Sequence, residues 1–174
     1  MKKNIFVFFI IISFLFLNFS VKADIPHFLD FKYVLNNSDA GKKAQNFLQN
    51  KLTKGLENLK KKEKEIQDNE KKIIQQKKVL STEDYKKRVN ELRSSVSKLQ
   101  KERNNLLETV SKQRTSARNE LLKALNPIIK DYMNEKKIRM VIDKKSLLLA
   151  DQNLDITKEI TSRLNKKLKS IKFK

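Results

Sequence analysis

The sequence predicts a mostly α-helical α+β protein, in which a long antiparallel helical hairpin projects from a small β-strand body. Only two glycines and two prolines occur in 174 residues, which leaves little room for turns. Apolar residues recur at heptad spacing through the middle of the chain, whereas short strand-forming runs occur only towards its ends. The pattern therefore separates a charged helical arm from a body that both ends of the chain build.

The chain is strongly basic, with 40 lysines and arginines, 20 acidic residues and a formal net charge of +20. Such a charge attracts nucleic acid, anionic lipid headgroups or acidic proteins. There is no cysteine, so the fold cannot depend on disulfides even in an oxidising compartment.

The first 23 residues have the features of a secretory signal peptide. Lys2 and Lys3 precede an apolar run over residues 5–19, and residues 21–23 provide a small-residue cleavage site. An uncleaved membrane anchor is the alternative, although the apolar run is short for a spanning helix. We expect export and a mature chain of residues 24–174, which disfavours nucleic acid as a partner.

The mature chain begins with the elements of the body. Residues 25–31 (IPHFLDF) are short, apolar and aromatic, which favours a strand. Residues 32–40 predict a short helix, after which Ser38 or Asp39 caps a long one.

The first helix of the arm is predicted from Lys42 to Leu80. Its apolar residues recur every seven positions, as one residue per heptad, and the complementary seam position is not apolar. The five residues are Leu52, Leu59, Ile66, Ile73 and Leu80.

A new helix start interrupts this pattern at Ser81, a candidate N-cap with Asp84 three residues later. Leu80 and Tyr85 stand at the two positions of a hydrophobic staple. A second seam follows at spacings of four and three. It comprises Val89, Leu92, Val96, Leu99, Leu106, Val110 and Ala117. Two antiparallel helices joined at a tip near residues 80–82 would bring the seams together. A long parallel dimeric coiled coil is the alternative.

The C-terminal part returns to the body. Pro127 is expected to kink the helix or to begin a new segment. Residues 139–143 and 146–150 are short apolar runs around Lys144 and Lys145, which predicts a β-hairpin. Asp151 or Asp155 then precedes a final amphipathic helix.

These elements divide the chain into a signal peptide (1–23), a first body segment (24–41), the hairpin arm (42–126) and a second body segment (127–174). The core that the two body segments can build is small, and so small a domain is usually reinforced by association. We therefore expect oligomerisation through the strand region.

Two end motifs resemble the Skp/OmpH family of periplasmic chaperones. The N-terminal motif is HFLDFKYVLN (27–36) followed by AGK (40–42). The C-terminal motif is MVIDK (140–144), followed by Ser146, AD (150–151) and LDIT (154–157). Pro26 departs from the pattern because a proline in the first strand would cost a ladder hydrogen bond unless that position faces an edge.

The resemblance implies a periplasmic homotrimer in which strands from three subunits form the body and three hairpins surround a cavity. Family members hold unfolded outer-membrane β-barrel proteins in that cavity without ATP. The body residues expected at the trimer are Phe28, Leu29, Phe31, Val141, Ile142, Leu147 and Leu149.

No catalytic, cofactor or metal site is predicted. Two glycines cannot form a phosphate-binding loop, and His27 is the only histidine. His27 is interpreted as a strand residue, and Glu63 and Glu65 as surface partners of lysines, rather than as acid–base groups.

Two sets of residues are predicted to serve binding. Apolar residues off the main seam are candidates for client contact, or else they broaden the packing of the hairpin: Phe47, Leu56, Ile74 and Leu107. Basic clusters along the arm and near its tip are predicted to steer acidic clients or anionic headgroups electrostatically. They are Lys60, Lys61, Lys62, Lys71, Lys72, Lys77, Lys78, Lys86, Lys87 and Arg88.

Three functions fit these features. The first is a holdase for unfolded outer-membrane proteins. The second is a structural coiled-coil protein of the cell envelope, which would not need strand-forming ends. The third is a polyanion binder for lipopolysaccharide or nucleic acid, and lipid binding can coexist with chaperoning.

Overall fold

The computed structural model of the chain describes residues 25–173, so the predicted signal peptide lies outside the described residues. Within residues 25–173, four α-helices and two short strands follow one another. They are β1 (His27–Leu29), α1 (Phe31–Asn37), α2 (Asp39–Gln75), α3 (Thr82–Lys136), β2 (Val141–Asp143) and α4 (Thr157–Lys167). Short 3₁₀ turns lie at Gln76–Lys78, Lys144–Ser146 and Gln152–Leu154.

Helices α2 and α3 are antiparallel and form the predicted arm. At about 1.5 Å per residue, the 37 residues of α2 extend for about 55 Å. Helix α3 is longer, with 55 residues, and its second half enters the body. Within residues 25–173, no helix combines the length and apolar character needed to cross a membrane.

A serine side chain caps the N-terminus of each long helix. The Ser38 hydroxyl accepts a hydrogen bond from the Gly41 N–H, and the Ser81 hydroxyl accepts one from the Asp84 N–H. Glu83 and Asp84 add negative charge to the first turn of α3, which the helix dipole favours. These caps fix where each helix starts without the help of glycine or proline.

Helix α2 ends at Gln75, five residues earlier than expected. A 3₁₀ turn follows, and both Val79 and Leu80 donate backbone hydrogen bonds to the Gln76 carbonyl. Because no glycine is available at the tip, the chain reverses over several residues by tightening its hydrogen bonds from i→i+4 to i→i+3.

The predicted seams meet inside the hairpin. Leu59 and Ile73 of α2 are buried, as are Val110 and Ala117 of α3. The other α2 seam residues are half-buried, whereas Val96 of α3 is 51% exposed. The pairing therefore occurs within one chain.

The core of the body lies at the end of the arm opposite its tip. Its fully buried members come from β1, α1, α3 and α4, and include Leu29, Val34, Leu125, Ile160 and Leu164. Helix α3 therefore belongs both to the arm and to the core of the body.

Pro127 does not begin a new segment, because α3 continues through it to Lys136. Leu125 and Ile128 on either side are buried in the core, and this packing holds the helix together across the missing hydrogen bond. The helix ends at Lys136, and the next residue, Lys137, caps it in a left-handed conformation with φ of 55°.

The predicted β-hairpin is wrong. The strand β2 pairs in parallel with β1, so that His27 lies opposite Val141 and Leu29 opposite Asp143. After Asp143 the chain forms a 3₁₀ turn, in which the Asp143 carboxylate accepts the Lys145 N–H, and residues 147–150 are not a strand. A two-residue hairpin loop needs residues that tolerate positive φ, and the two lysines there do not suit it.

Pro26 costs no ladder hydrogen bond, contrary to expectation. It lies outside β1, and the first strand hydrogen bond is donated by the His27 N–H to the Met140 carbonyl. The predicted fold class, a mostly helical α+β chain with a long hairpin and a small sheet, is confirmed.

Candidate functional site

An apolar cleft lies on one side of the arm near its tip. Ile74 of α2 and Tyr85, Val89 and Val96 of α3 line a space of about 440 Å³. Ile74 is 62% exposed and Val96 is 51% exposed. The two helices therefore present apolar side chains to solvent on the same side of the hairpin.

The exposed apolar side chains continue along the same side of the hairpin towards the body. Leu56 precedes Ile74 by eighteen residues, about five whole turns, and Leu107 follows Val96 by eleven, about three turns. Leu56 and Leu107 are 45% and 50% exposed. We call these four residues, Leu56, Ile74, Val96 and Leu107, the apolar row.

An ion pair interrupts the apolar row. Glu63 lies two turns after Leu56 on α2, and Arg103 lies one turn before Leu107 on α3. The Arg103 guanidinium is 3.6 Å from the Glu63 carboxylate, and both side chains are nearly half exposed. The row is therefore a series of separate apolar contacts and not a continuous groove.

The opposite side of the seam is polar. Lys62 is 2.6 Å from the Glu102 carboxylate, and the Lys51 ammonium donates a 2.9 Å hydrogen bond to Gln113. Arg88 likewise donates to the Gln76 side chain. Lys62 and Gln76, at the seam position that lacks apolar residues, thus pair with polar side chains of α3.

Phe47 does not lie with the other three predicted contact residues. Its ring stacks on that of Phe173, with centroids 4.5 Å apart and an interplanar angle of 8°. It remains 44% exposed. The structure therefore brings together Leu56, Ile74 and Leu107, and places Phe47 at the root of the arm under the C-terminal segment.

Sequence reasoning missed Val96 as an exposed residue because its spacing assigned it to the seam. In the structure, Val96 and Val89 both line the cleft beside Tyr85. A seam residue at the edge of an interface packs on one side only, and a thin seam leaves the other side in solvent.

The predicted basic residues lie along the exposed surface of the arm, apart from the half-buried Lys62. Two of them have acidic neighbours: Lys62 pairs with Glu102, and Lys71 is 3.9 Å from Asp68. At the tip, the Lys77 ammonium lies 5.9 Å from the centre of the Tyr85 ring.

The residues predicted for the trimer body fall into two groups. Leu29 and Phe28 are buried within the single chain, and Phe31 and Val141 pack against its core. Ile142 and Leu147 are half-buried, and Leu149 is 93% exposed.

Further exposed apolar residues near the sheet were not predicted. They are Ile25, Met140 and Leu148, of which Leu148 is fully exposed. Residues 147–150 do not form the predicted strand, so Leu148 has no sheet to pack on.

A hydrogen-bonded network joins α4 to the first strand. The Asp155 carboxylate accepts the Thr157 N–H at 2.8 Å, and the Thr157 hydroxyl accepts the Asp30 N–H at 2.9 Å. Burial raises the pKa of Asp155, but hydrogen bonds from Thr157 and the charge of Lys144 outweigh it and lower the pKa below its ordinary value.

Arg163 fastens α4 to the end of α3. Its guanidinium donates to Glu135 at 2.8 Å and to Glu159 at 2.9 Å, and it lies 4.8 Å from the Tyr132 ring centre. The hydrogen bond from Arg163 lowers the pKa of Glu135. This contact and the Asp155 network are structural, since they fix the body on which the arm stands.

His27 lies in β1 as expected, and its Nδ1 is buried without a hydrogen-bond partner. Within residues 25–173, no group of three or more histidine, cysteine or acidic side chains is arranged to hold a metal ion.

Comparisons with known proteins agree with the resemblance of the end motifs. The sequence model of the family described as "Outer membrane protein (OmpH-like)" matches residues 27–164. No curated protein gives a significant match. The crystal structure of an OmpH-like protein from Caulobacter crescentus CB15 has a TM-score of 0.79 and 16% identity, with 91% of this chain and 95% of that chain covered. At this identity the structural likeness establishes the fold alone.

Proposed function

Since the chain belongs to the OmpH-like outer membrane protein family, we propose that it is a periplasmic holdase for unfolded outer-membrane β-barrel proteins. It binds clients without ATP and prevents their aggregation. Its signal peptide directs export and is cleaved before residue 24.

The apolar row carries this proposal. Leu56, Ile74, Val96 and Leu107 are exposed on one side of the arm and are separated by turns of helix and an ion pair. An unfolded β-barrel protein exposes many apolar side chains along its length, and each can make a small contact. Several weak contacts retain such a chain, yet none is strong enough to prevent its release.

Three chains form the working unit in this proposal. Leu148 and Leu149 project fully into solvent beside the small sheet of the body, and Ile25 and Met140 are more than half exposed. Exposed apolar residues of this kind mark association surfaces. A trimer that covers them would hold three arms around a common space.

The positive charge adds long-range attraction. Exposed lysines cover the arm, with pairs at Lys77–Lys78 and Lys86–Lys87 on either side of the tip. Charges of one sign accelerate encounter with an acidic partner. The same lysines favour a second candidate ligand, the anionic headgroups of lipid or lipopolysaccharide, which can bind together with clients.

The solution mass of residues 24–174 tests the proposal, measured by light scattering on a sizing column. The measurement is made on the protein alone and after a urea-unfolded β-barrel membrane protein is diluted into it, with no nucleotide present. We expect a three-chain mass that gains one client and keeps it soluble.

A dimer or monomer that leaves the client to precipitate would contradict the proposal and favour a structural coiled coil. A matched control uses a folded β-barrel protein in detergent, which should not bind because its apolar side chains are already covered. If the protein bound anionic but not zwitterionic vesicles and had no effect on client aggregation, the result would instead favour a polyanion-binding protein.

A further inference from the structure

The last residues of the chain form a strap along the root of the arm. Helix α4 ends at Lys167, and residues 168–173 continue without regular secondary structure. The Lys169 ammonium lies 3.6 Å from the Asp39 carboxylate at the start of α2. Phe173 stacks on Phe47, two turns further along the same helix. We call residues 168–173 the C-terminal strap.

The spacing of these contacts shows the direction of the strap. Asp39 and Phe47 are eight residues apart, about 12 Å along a helix. Lys169 and Phe173 are four residues apart, about 13 Å in an extended chain. The C-terminal strap therefore follows α2 away from the body and ends with its aromatic ring on that of Phe47.

The two halves of the strap are held differently. Leu168 and Ile171 pack against the buried core, and Asn165 just before the strap accepts the Asp39 N–H at 2.8 Å. Phe173 is half-buried and stacks on Phe47, which is still 44% exposed. The inner half of the strap therefore packs against the core, whereas the Phe173 ring lies outside the core cluster.

We propose that Phe47 is a binding site for aromatic client side chains, and that Phe173 occupies it in the absence of a client. The occupant already seated there identifies the chemistry that fits: a flat ring stacked nearly parallel on another ring. Unfolded β-barrel proteins are the partner, so the inference rests on the proposed function. Phe173 competes with them as an intramolecular ligand and leaves Phe47 when a client ring arrives.

A double-mutant cycle tests the competition. The probe is a fluorophore-labelled, urea-unfolded β-barrel membrane protein, whose affinity for residues 24–174 is measured by anisotropy. The variants are wild type, Phe173→Ala, Phe47→Ala and the double variant. Point substitution is preferable to truncation because it keeps Lys169 and Lys172, and so leaves the electrostatic attraction unchanged.

We expect Phe173→Ala to bind the client about two- to tenfold more tightly, the range that a lost aromatic stacking competitor allows. Phe47→Ala should bind it more weakly than wild type. In the Phe47→Ala background, Phe173→Ala should have no effect, because the contested site is absent. Phe173→Tyr is the matched control, since it keeps the ring and should bind within twofold of wild type.

Two results would overturn the inference while leaving the holdase proposal intact. In the first, wild type binds the client and Phe173→Ala binds it equally tightly or more weakly, which would mean that the Phe173 ring is structural or is itself a client contact. Alternatively, Phe173→Ala tightens binding equally with and without Phe47, in which case the effect does not pass through Phe47. If wild type binds no client, both proposals fail.

Discussion

The side chain of Leu106 on α3 occupies the space beside Gly55 on α2. A Cβ atom at position 55 would lie 2.5 Å from Leu106 Cδ2 and 2.6 Å from Cδ1, which is closer than atoms in van der Waals contact. Gly55 also stands at the heptad position that Lys62, Asn69 and Gln76 occupy later in the chain. The absence of a side chain at position 55 is therefore what lets Leu106 pack at this level of the arm.

Substitution of Gly55 by alanine is expected to destabilise the protein, although alanine favours helices over glycine by about 1 kcal/mol. The new methyl group displaces Leu106, and overpacking of this kind costs about 1–3 kcal/mol. We therefore expect a net loss of up to about 2 kcal/mol. Urea unfolding followed by circular dichroism, at fixed protein concentration, measures it.

Leu106→Ala provides the control for this mechanism. Once Leu106 is truncated, the methyl group at position 55 no longer clashes with its side chain, so Gly55→Ala should become stabilising by about 1 kcal/mol. If Gly55→Ala has the same effect in both backgrounds, the contact between Gly55 and Leu106 does not determine the packing of the arm.

The lowered pKa of Asp155 predicts how the stability of the body depends on pH. Its pKa in the folded protein lies below its ordinary value of 3.8, so the unfolded chain binds a proton more readily than the folded one. The contribution of Asp155 is therefore fully present above about pH 5 and is lost as the pH falls through the lower pKa of the folded state.

The variant Asp155→Asn should be less stable than wild type at pH 7, by about 1 kcal/mol, since it removes the charged acceptor of the Thr157 N–H and the partner of Lys144. The difference should shrink as the pH is lowered to 3. Urea midpoints at pH 7, 5, 4 and 3 measure it, and a difference that is independent of pH would contradict the assignment.

The sequence predicted the parts of the fold that depend on local chemistry. Ser38 and Ser81 were recognisable as caps, and Leu59 and Ile73 as seam residues, because capping and heptad spacing are encoded within a few positions. The pairing of β1 with β2 joins residues more than a hundred positions apart. No short-range pattern reports such a contact, and the local pattern favoured a hairpin instead.

The candidate site was predictable only in part for the same reason. Exposure of Leu56, Ile74 and Leu107 followed from their positions off the seam. The stacking of Phe47 on Phe173 could not be inferred, because it joins two distant segments and leaves no periodic signal. Electrostatic pairing of Lys62 with Glu102 across the seam was likewise hidden by the separation of the two residues.

Electrostatic steering predicts that client association slows as salt is added. Raising the ionic strength from about 0.01 to 1 M shortens the screening length from about 30 to 3 Å, so that the exposed lysines no longer act at a distance. We expect the association rate constant for an acidic unfolded client to fall by about tenfold, as measured by stopped-flow fluorescence. An unchanged rate constant would exclude steering.

The tip lysines allow a local test of the same effect. Replacement of Lys77, Lys78, Lys86 and Lys87 by glutamine should lower the association rate constant at low salt and have little effect at high salt. Four glutamines at lysines of the body, namely Lys136, Lys158, Lys166 and Lys167, give the same change in net charge and serve as the control. If both variants slow association equally, total charge matters and the position of the tip lysines does not.

The apolar row predicts which arm residues hold the client. Leu56→Ser combined with Leu107→Ser removes two apolar contacts at the same level of the arm, and neither side chain is buried in the seam. We expect client affinity to fall by about tenfold or more, while thermal stability changes little, since exposed substitutions usually alter stability by less than about 0.5 kcal/mol.

The double variant Leu56→Met and Leu107→Met keeps the apolar surface and should bind like wild type. Anisotropy titration with the labelled unfolded β-barrel protein measures all three proteins, and equal affinity of the serine variant and wild type would remove these leucines from the binding surface.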